Sequence, residues 1–194
     1  MKKLFFIAVA VIIFFNPNIL AQDNPKNIIK TNPIVPFFNI YSLQFERVTF
    51  INQSFQIVGY YMNSTHFDVF SGGPITGFCI TPEYRFYISY RRSAPNGFYI
   101  GPFYHYYNAV VTANPSDWAP KNVGGTYRLI SQGPGVIFGY QILIVDKFTI
   151  DMFGGPAFYF ASNTEFKPVG VIGWTSFPVG GLTGRLGFSL GFAF

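Results

Sequence analysis

The sequence predicts an all-β protein, an eight-stranded antiparallel transmembrane β-barrel of outer-membrane type. Three observations carry that expectation. Apolar residues alternate with polar or small ones at period two along most of the chain. The connections between these segments are short and long in turn. The N-terminal residues have the form of an export signal.

Composition narrows the class first. Of 194 residues, 49% are hydrophobic, 21% aromatic and only 11% charged. A soluble domain carries about 25% charge, and a disordered chain has few aromatics. Lys2 and Lys3 precede an unbroken apolar run from Leu4 to Phe15, which Asn16-Pro17-Asn18 interrupts. That run is shorter than the roughly 20 residues of a membrane helix. With Ala21 before Gln22, it reads as a cleaved signal peptide over 1–21, leaving a barrel domain over 22–194. The mature chain then holds Lys and Arg in slight excess over its 8 acids, too scattered for a nucleic-acid surface. One cysteine, Cys79, excludes an internal disulfide, and with only 2 His no structural zinc site of Cys and His is available.

Alternation then defines eight strands, at roughly 27–36, 39–50, 54–63, 76–90, 97–110, 126–144, 147–161 and 181–194. In the fourth, Phe78, Ile80, Tyr84, Phe86 and Ile88 share one face, while Thr81, Glu83, Arg85 and Ser89 share the other. In the sixth, Val136, Phe138, Tyr140 and Ile142 oppose Gly135, Gly139 and Gln141. In the seventh, Phe148, Ile150, Met152, Phe158 and Phe160 oppose Thr149, Asp151, Gly155 and Ala157. The eighth alternates Leu186, Phe188, Leu190, Phe192 and Phe194 with Arg185, Gly187, Ser189, Gly191 and Ala193.

Short connections fall at 51–53, at 91–96 beside the turn signal Ala94-Pro95-Asn96-Gly97, and at 145–146. Long ones fall at 64–75, 111–125 and 162–180; the first connection is brief. An outer-membrane barrel has short periplasmic turns and longer outer loops, with both termini of an even-stranded chain on the periplasmic side. A soluble barrel instead packs its bulky face inside. Here the bulky face is too large for an eight-stranded interior, and the small face would cover nothing in water.

The terminal alternation of Leu190, Phe192 and Phe194 resembles the C-terminal assembly signal of bacterial outer-membrane barrels. The resemblance implies recognition by the barrel-assembly machinery and by periplasmic chaperones. More widely, the chain is similar to a family of small outer-membrane barrels of unassigned function. The matching stretches are Asn32-Pro33, Phe45-Glu46-Arg47, Ile80-Thr81-Pro82-Glu83-Tyr84-Arg85 and Gly97-Phe98-Tyr99-Ile100-Gly101-Pro102. This likeness implies fold and location and brings no activity.

Pro82, Pro102, Pro134 and Pro156 fall inside strands, where proline is normally confined to edges and bulges. Their similar placement predicts a shared belt of bulges. On the inward faces lie Lys30, Glu46, Glu83, Arg85, Asp151 and Arg185, three charges of each sign, with His105 nearby. Equal numbers predict a lumen filled by paired charges, because an eight-stranded interior is just filled by side chains. Glu83 and Arg85 lie about 6.5–7 Å apart along one strand, so each is expected to pair across strands, and Glu46 with Arg185 or Lys30.

An enzyme would need a nucleophile and a base. His105 has Ser89 and Ser131 on flanking strands, but no G-x-S-x-G occurs. His105 and Cys79 are expected to be packing residues. No catalytic, cofactor-binding or metal-binding residue is assigned, and no cofactor is expected. Tyr84, Tyr90, Tyr104, Tyr106 and Tyr140 suit interfacial girdles, and Trp118 and Trp174 fall in the long loops.

The expectation is therefore a non-enzymatic integral protein of the bacterial outer membrane, in contact with its lipids. Its role would be structural or in surface interaction with an external ligand. A narrow channel for small solutes is the alternative, and a lipid-active enzyme the third.

Overall fold

The structure, a computed structural model, describes residues 25–64, 74–88, 93–113, 125–162 and 181–194. Eight strands follow one another: β1 (Asn27–Thr31), β2 (Ile40–Phe50), β3 (Gln53–Ser64), β4 (Ile75–Tyr87), β5 (Gly97–Ala113), β6 (Gly125–Ile144), β7 (Phe148–Ser162) and β8 (Gly181–Ala193). Each pairs antiparallel with the next, and β1 pairs with β8, so the sheet closes into a barrel in sequence order. The seam is clipped where β1 begins and the last residue follows β8. The N–H of Phe194 donates to the carbonyl of Asn27 at 2.8 Å, and that of Asn27 to the carbonyl of Phe194 at 3.0 Å.

Seven of the expected strands differ from the observed ones by at most three residues at either end. The first does not fit. Strand β1 stops at Thr31 and a 3-10 turn occupies Val35–Phe38. Asn32 accepts a hydrogen bond on Oδ1 from the N–H of Ile34, and Pro33 and Pro36 have no N–H to give a ladder. The long connections expected at 64–75, 111–125 and 162–180, and the signal segment over 1–21, lie almost wholly outside the described residues.

The hairpin turn between β6 and β7 uses Val145 (φ 50°) and Asp146 (φ 54°), both left-handed, closed by Lys147 N–H donating to the Ile144 carbonyl at 3.1 Å. Positive φ at both centres is what the right-handed twist of a two-residue hairpin requires.

Period two decides which side chains are inside. One large apolar side chain per strand illustrates the outer surface: Ile29, Leu43, Ile57, Ile80, Ile100, Phe138, Met152 and Leu186 are all exposed. Residues an odd number of positions away turn inward and are buried, among them Lys30, Glu46, Gln56, Arg85, Asp151 and Ser189. Two apolar clusters share the interior with these polar groups. One, at the end away from the termini, gathers Val35, Ile40, Met62, Ile75 and Leu129. The other, against β4 to β7, gathers Tyr87, Tyr99, Phe103, Ile137, Phe153 and Tyr159. The inward glycines make room for these rings. A Cβ on Gly135 would collide with the Phe103 ring, and one on Gly187 with the Phe153 ring.

The belt of bulges does not form. Pairing on either side of the prolines keeps a constant register: Ile80↔Tyr106, Glu83↔Phe103 and Phe86↔Ile100 in one ladder, and Gln132↔Phe160, Gly135↔Ala157 and Phe138↔Gly154 in another. No residue is inserted, so no bulge exists there. Pairing is instead interrupted around Pro82, Pro102, Pro134 and Pro156, all of which point outward. Three of these prolines follow a glycine. The carbonyl oxygens of Tyr84, Phe158 and Val136 find no N–H at Pro102, Pro134 and Pro156. They sit over Gly101, Gly133 and Gly155 instead, in the space a Cβ would fill. A Cα–H···O contact replaces the missing bond, and only glycine admits it.

Candidate functional site

Inward parity on all eight strands converges on one network. From β1, Lys30 Nζ contacts Glu46 Oε2 at 2.6 Å and Asp151 Oδ2 at 3.0 Å. From β4, Arg85 contacts Asp151 Oδ2 and Glu83 Oε2, each at 2.8 Å. From β8, Arg185 Nη1 contacts Glu83 Oε1. Neutral groups complete the carboxylates. Glu46 accepts from Tyr87 Oη at 2.7 Å, from Gln141 Nε2 at 3.1 Å and from Ser54 Oγ. Asp151 accepts from Tyr99 Oη at 2.8 Å, and Glu83 from Gln56 Nε2 at 3.2 Å. The Arg85 guanidinium lies over the Tyr99 ring at 4.3 Å, and that of Arg185 over Phe153 at 4.8 Å.

The structure thus brings all six expected charges, Lys30, Glu46, Glu83, Arg85, Asp151 and Arg185, into one cluster. One detail of pairing differs from expectation. Glu83 and Arg85 do bond each other along β4, because the long guanidinium folds back over the two-residue step: Nε reaches Glu83 Oε2 at 3.1 Å. Of the two partners expected for Glu46, Lys30 takes it, and Arg185 takes Glu83 across the barrel. Side-chain reach, which strand spacing does not report, decides both.

Three cations balance three carboxylates in a region from which the five non-Arg185 side chains are wholly shielded and Arg185 nearly so. Burying any one of them alone would cost several kcal/mol, so the cluster stands or falls as a unit. Chemically it can hold a fixed geometry and bridge opposite walls. Gln44, Ser54, Gln56, Tyr87, Tyr99 and Gln141 were missed as members. Their parity with Glu46, Glu83 and Asp151 was the available signal, since inward polar residues at neighbouring heights must find each other.

His105 stands apart from this network. Its Nδ1 lies 2.8 Å from Thr81 Oγ1 and 3.5 Å from Cys79 Sγ, and its ring stacks on Tyr159 at 5.0 Å between centroids. Ser131 is buried beside Tyr107 in register, and no hydrogen bond joins it to His105. Ser89, Tyr90, Trp118 and Trp174 lie outside the described residues. Tyr84, Tyr104, Tyr106 and Tyr140 point outward, and Tyr84 Oη donates to Gln53 Oε1 at 2.6 Å. At the C-terminus Leu190, Phe192 and Phe194 form an exposed stripe. Among the described residues no group of three or more His, Cys, Asp or Glu is placed to hold a metal ion.

Fold and site together define a closed eight-stranded β-barrel with an ion-paired lumen. The chain belongs to the family described as "Protein of unknown function (DUF3575)", whose model matches residues 4–174. No curated protein and no solved structure matches it.

Proposed function

We propose that this protein is an integral outer-membrane barrel whose lumen is closed by the charge network and whose role is structural or in surface interaction. One observation carries the reading: the polarity is inverted. Every strand presents a large apolar side chain outward, while six ionised side chains are paired inside. A soluble protein seldom exposes a contiguous apolar patch above a few hundred Å², and here apolar side chains ring the barrel. Hydrocarbon favours that arrangement, and closure leaves no open sheet edge to desolvate. The export-type N-terminus and the Leu190, Phe192 and Phe194 stripe favour the outer membrane, with assembly by the barrel-assembly machinery and periplasmic chaperones.

The reading assigns no reaction, cofactor or nucleic-acid partner. Outer-membrane lipids are the immediate partners, and the connections at the end away from the termini would carry external contacts. Cell fractionation tests the proposal. The protein should partition with outer membranes and run faster on gels before heating than after. Recovery in the soluble periplasmic fraction would overturn it.

A further inference from the structure

Among the described residues, the outward faces of the eight strands carry two ionised side chains, Arg47 on β2 and Arg128 on β6. They stand at opposite ends of the barrel. Arg47 lies opposite Asn27, at the end that holds the termini, and Arg128 lies opposite Val110, close to the far ends of β5 and β6. Each bonds an asparagine on the neighbouring strand. Arg47 Nη1 donates to Asn27 Oδ1, and Arg128 Nε to Asn108 Oδ1, both at 3.3 Å. A cation on the lipid face of a barrel is costly at mid-depth and cheap at the interfaces. The two arginines thus bracket the apolar band.

At the Arg128 end a second observation points to a ligand. Asn108 lies two residues further from the rim than Val110, the residue opposite Arg128. The hydrogen bond therefore draws the guanidinium toward the middle of the barrel, whereas an arginine reaching for water alone would extend the other way. Beneath it the wall changes in layers. Gln132 is exposed and stands between Tyr106 on β5 and Phe160 on β7. Below it on β6 come Pro134, Val136 and Phe138, all exposed. The order from the rim inward is a cation, an amide between aromatic rings, and apolar surface. A membrane lipid is layered in the same order, as phosphate, polar linkage and acyl chain.

We propose that the outer wall of β5 and β6, at the end away from the termini, binds the phosphate of an anionic lipid of the outer leaflet. Arg128 supplies the cation, Asn108 fixes its guanidinium, and the acyl chain lies along Val136 and Phe138. The proposal rests on the membrane reading above and adds to it the chemistry of the headgroup. A guanidinium carries five N–H donors in one plane and matches a phosphate with two parallel bonds, so one side chain serves both Asn108 and the lipid. From the level of Asn108 to that of Gln132 is two residues, about 6.5 Å along the strand. That places the amide where an ester or amide linkage follows the phosphate.

Fluorescence quenching by brominated lipid tests this in the full chain, in a Trp118→Phe, Trp174→Phe background. The probe is Ile130→Trp, on the outward face between Arg128 and Gln132 and opposite Asn108. The chain is refolded into phosphatidylcholine vesicles that contain a minor share of tail-brominated phosphatidic acid or of tail-brominated diacylglycerol, which has no phosphate. Flotation of the unaltered chain with vesicles reports the membrane reading; failure to float overturns that reading and the proposal with it. In floated protein, phosphatidic acid should be enriched at the probe about fivefold over diacylglycerol, the worth of one basic side chain at an anionic lipid surface. Arg128→Gln should abolish the enrichment, and Arg47→Gln, at the other end, should leave it unchanged. Equal quenching by the two lipids, or enrichment that survives Arg128→Gln or falls equally in Arg47→Gln, overturns the proposal alone. Excess inorganic phosphate should not displace the lipid; if it does, the site takes free phosphate and the lipid assignment falls. Should Ile130→Trp fail to insert, native mass spectrometry of the otherwise unaltered chain and its Arg128→Gln variant decides. The first must retain phosphatidic acid and the second must lose it; equal retention overturns the site.

Discussion

Arg185 on β8 grips Glu83 on β4, the strand on the opposite side of the barrel, with the two side chains 6% and 0% exposed. A bridge from wall to wall fills the lumen, and Arg85 joins it to Asp151 and Lys30. Four predictions follow from this bridge, from the seam and from the β6–β7 turn.

Glu83→Ala leaves Arg185 and Arg85 without their shared carboxylate. In a dry lumen the loss should be about 3–5 kcal/mol, the cost of an uncompensated buried charge. In a wet lumen it should be about 0–1 kcal/mol. Equilibrium unfolding in lipid or detergent separates the two. Adding Arg185→Leu should recover part of the loss, since it removes one orphaned cation.

Conductance follows from the same geometry. If the ion-paired side chains plug the lumen as proposed, purified protein in a planar bilayer should show little or no steady current. Stable single-channel steps in the unaltered protein would favour the channel reading over the plug.

Phe194 plays two separable parts. Its backbone closes the β1/β8 seam on Asn27, and its exposed ring ends the apolar stripe of β8. Phe194→Ala keeps the backbone bonds and removes the ring, so it should lower the assembled fraction in cells while leaving the folded barrel's melting nearly unchanged. Deleting the residue should lower both. Unchanged assembly in Phe194→Ala would count against a role for the ring in recognition.

Val145 holds a left-handed φ of 50° that β-branched residues adopt only under strain. Val145→Asn should relieve it and stabilise the barrel by about 1 kcal/mol, within the range such strain stores. Thermal unfolding of the variant checks this; a lower melting temperature would mean that the exposed valine side chain contributes more than its backbone costs.

The strands were legible because period two is a local property. Phe188, Leu190 and Phe192 alternate with Gly187, Ser189 and Gly191 whatever the rest of the chain does. The end of β1 was harder to read. The expected first strand runs through Asn32-Pro33, although an Asx turn backed by prolines ends a ladder as readily as it begins one. The proline belt was visible as a list of positions, but its consequence depended on the facing strand. Only when Phe158 stands opposite Pro134 does its carbonyl need Gly133 to make room.

By itself the sequence determined the alternation, the number of strands, the inward parity of the six charges and the apolar outer face. All of these are set by residues two positions apart. Tertiary structure alone decided who pairs with whom: Glu83 with Arg85 on its own strand and with Arg185 across the barrel, and Lys30 with both Glu46 and Asp151. It also decided that the prolines interrupt two ladders without shifting register. The reason is geometric. Parity says which side of the wall a side chain occupies, whereas its partner depends on ring closure, strand stagger and the reach of long side chains, and these are set only once all eight strands have met.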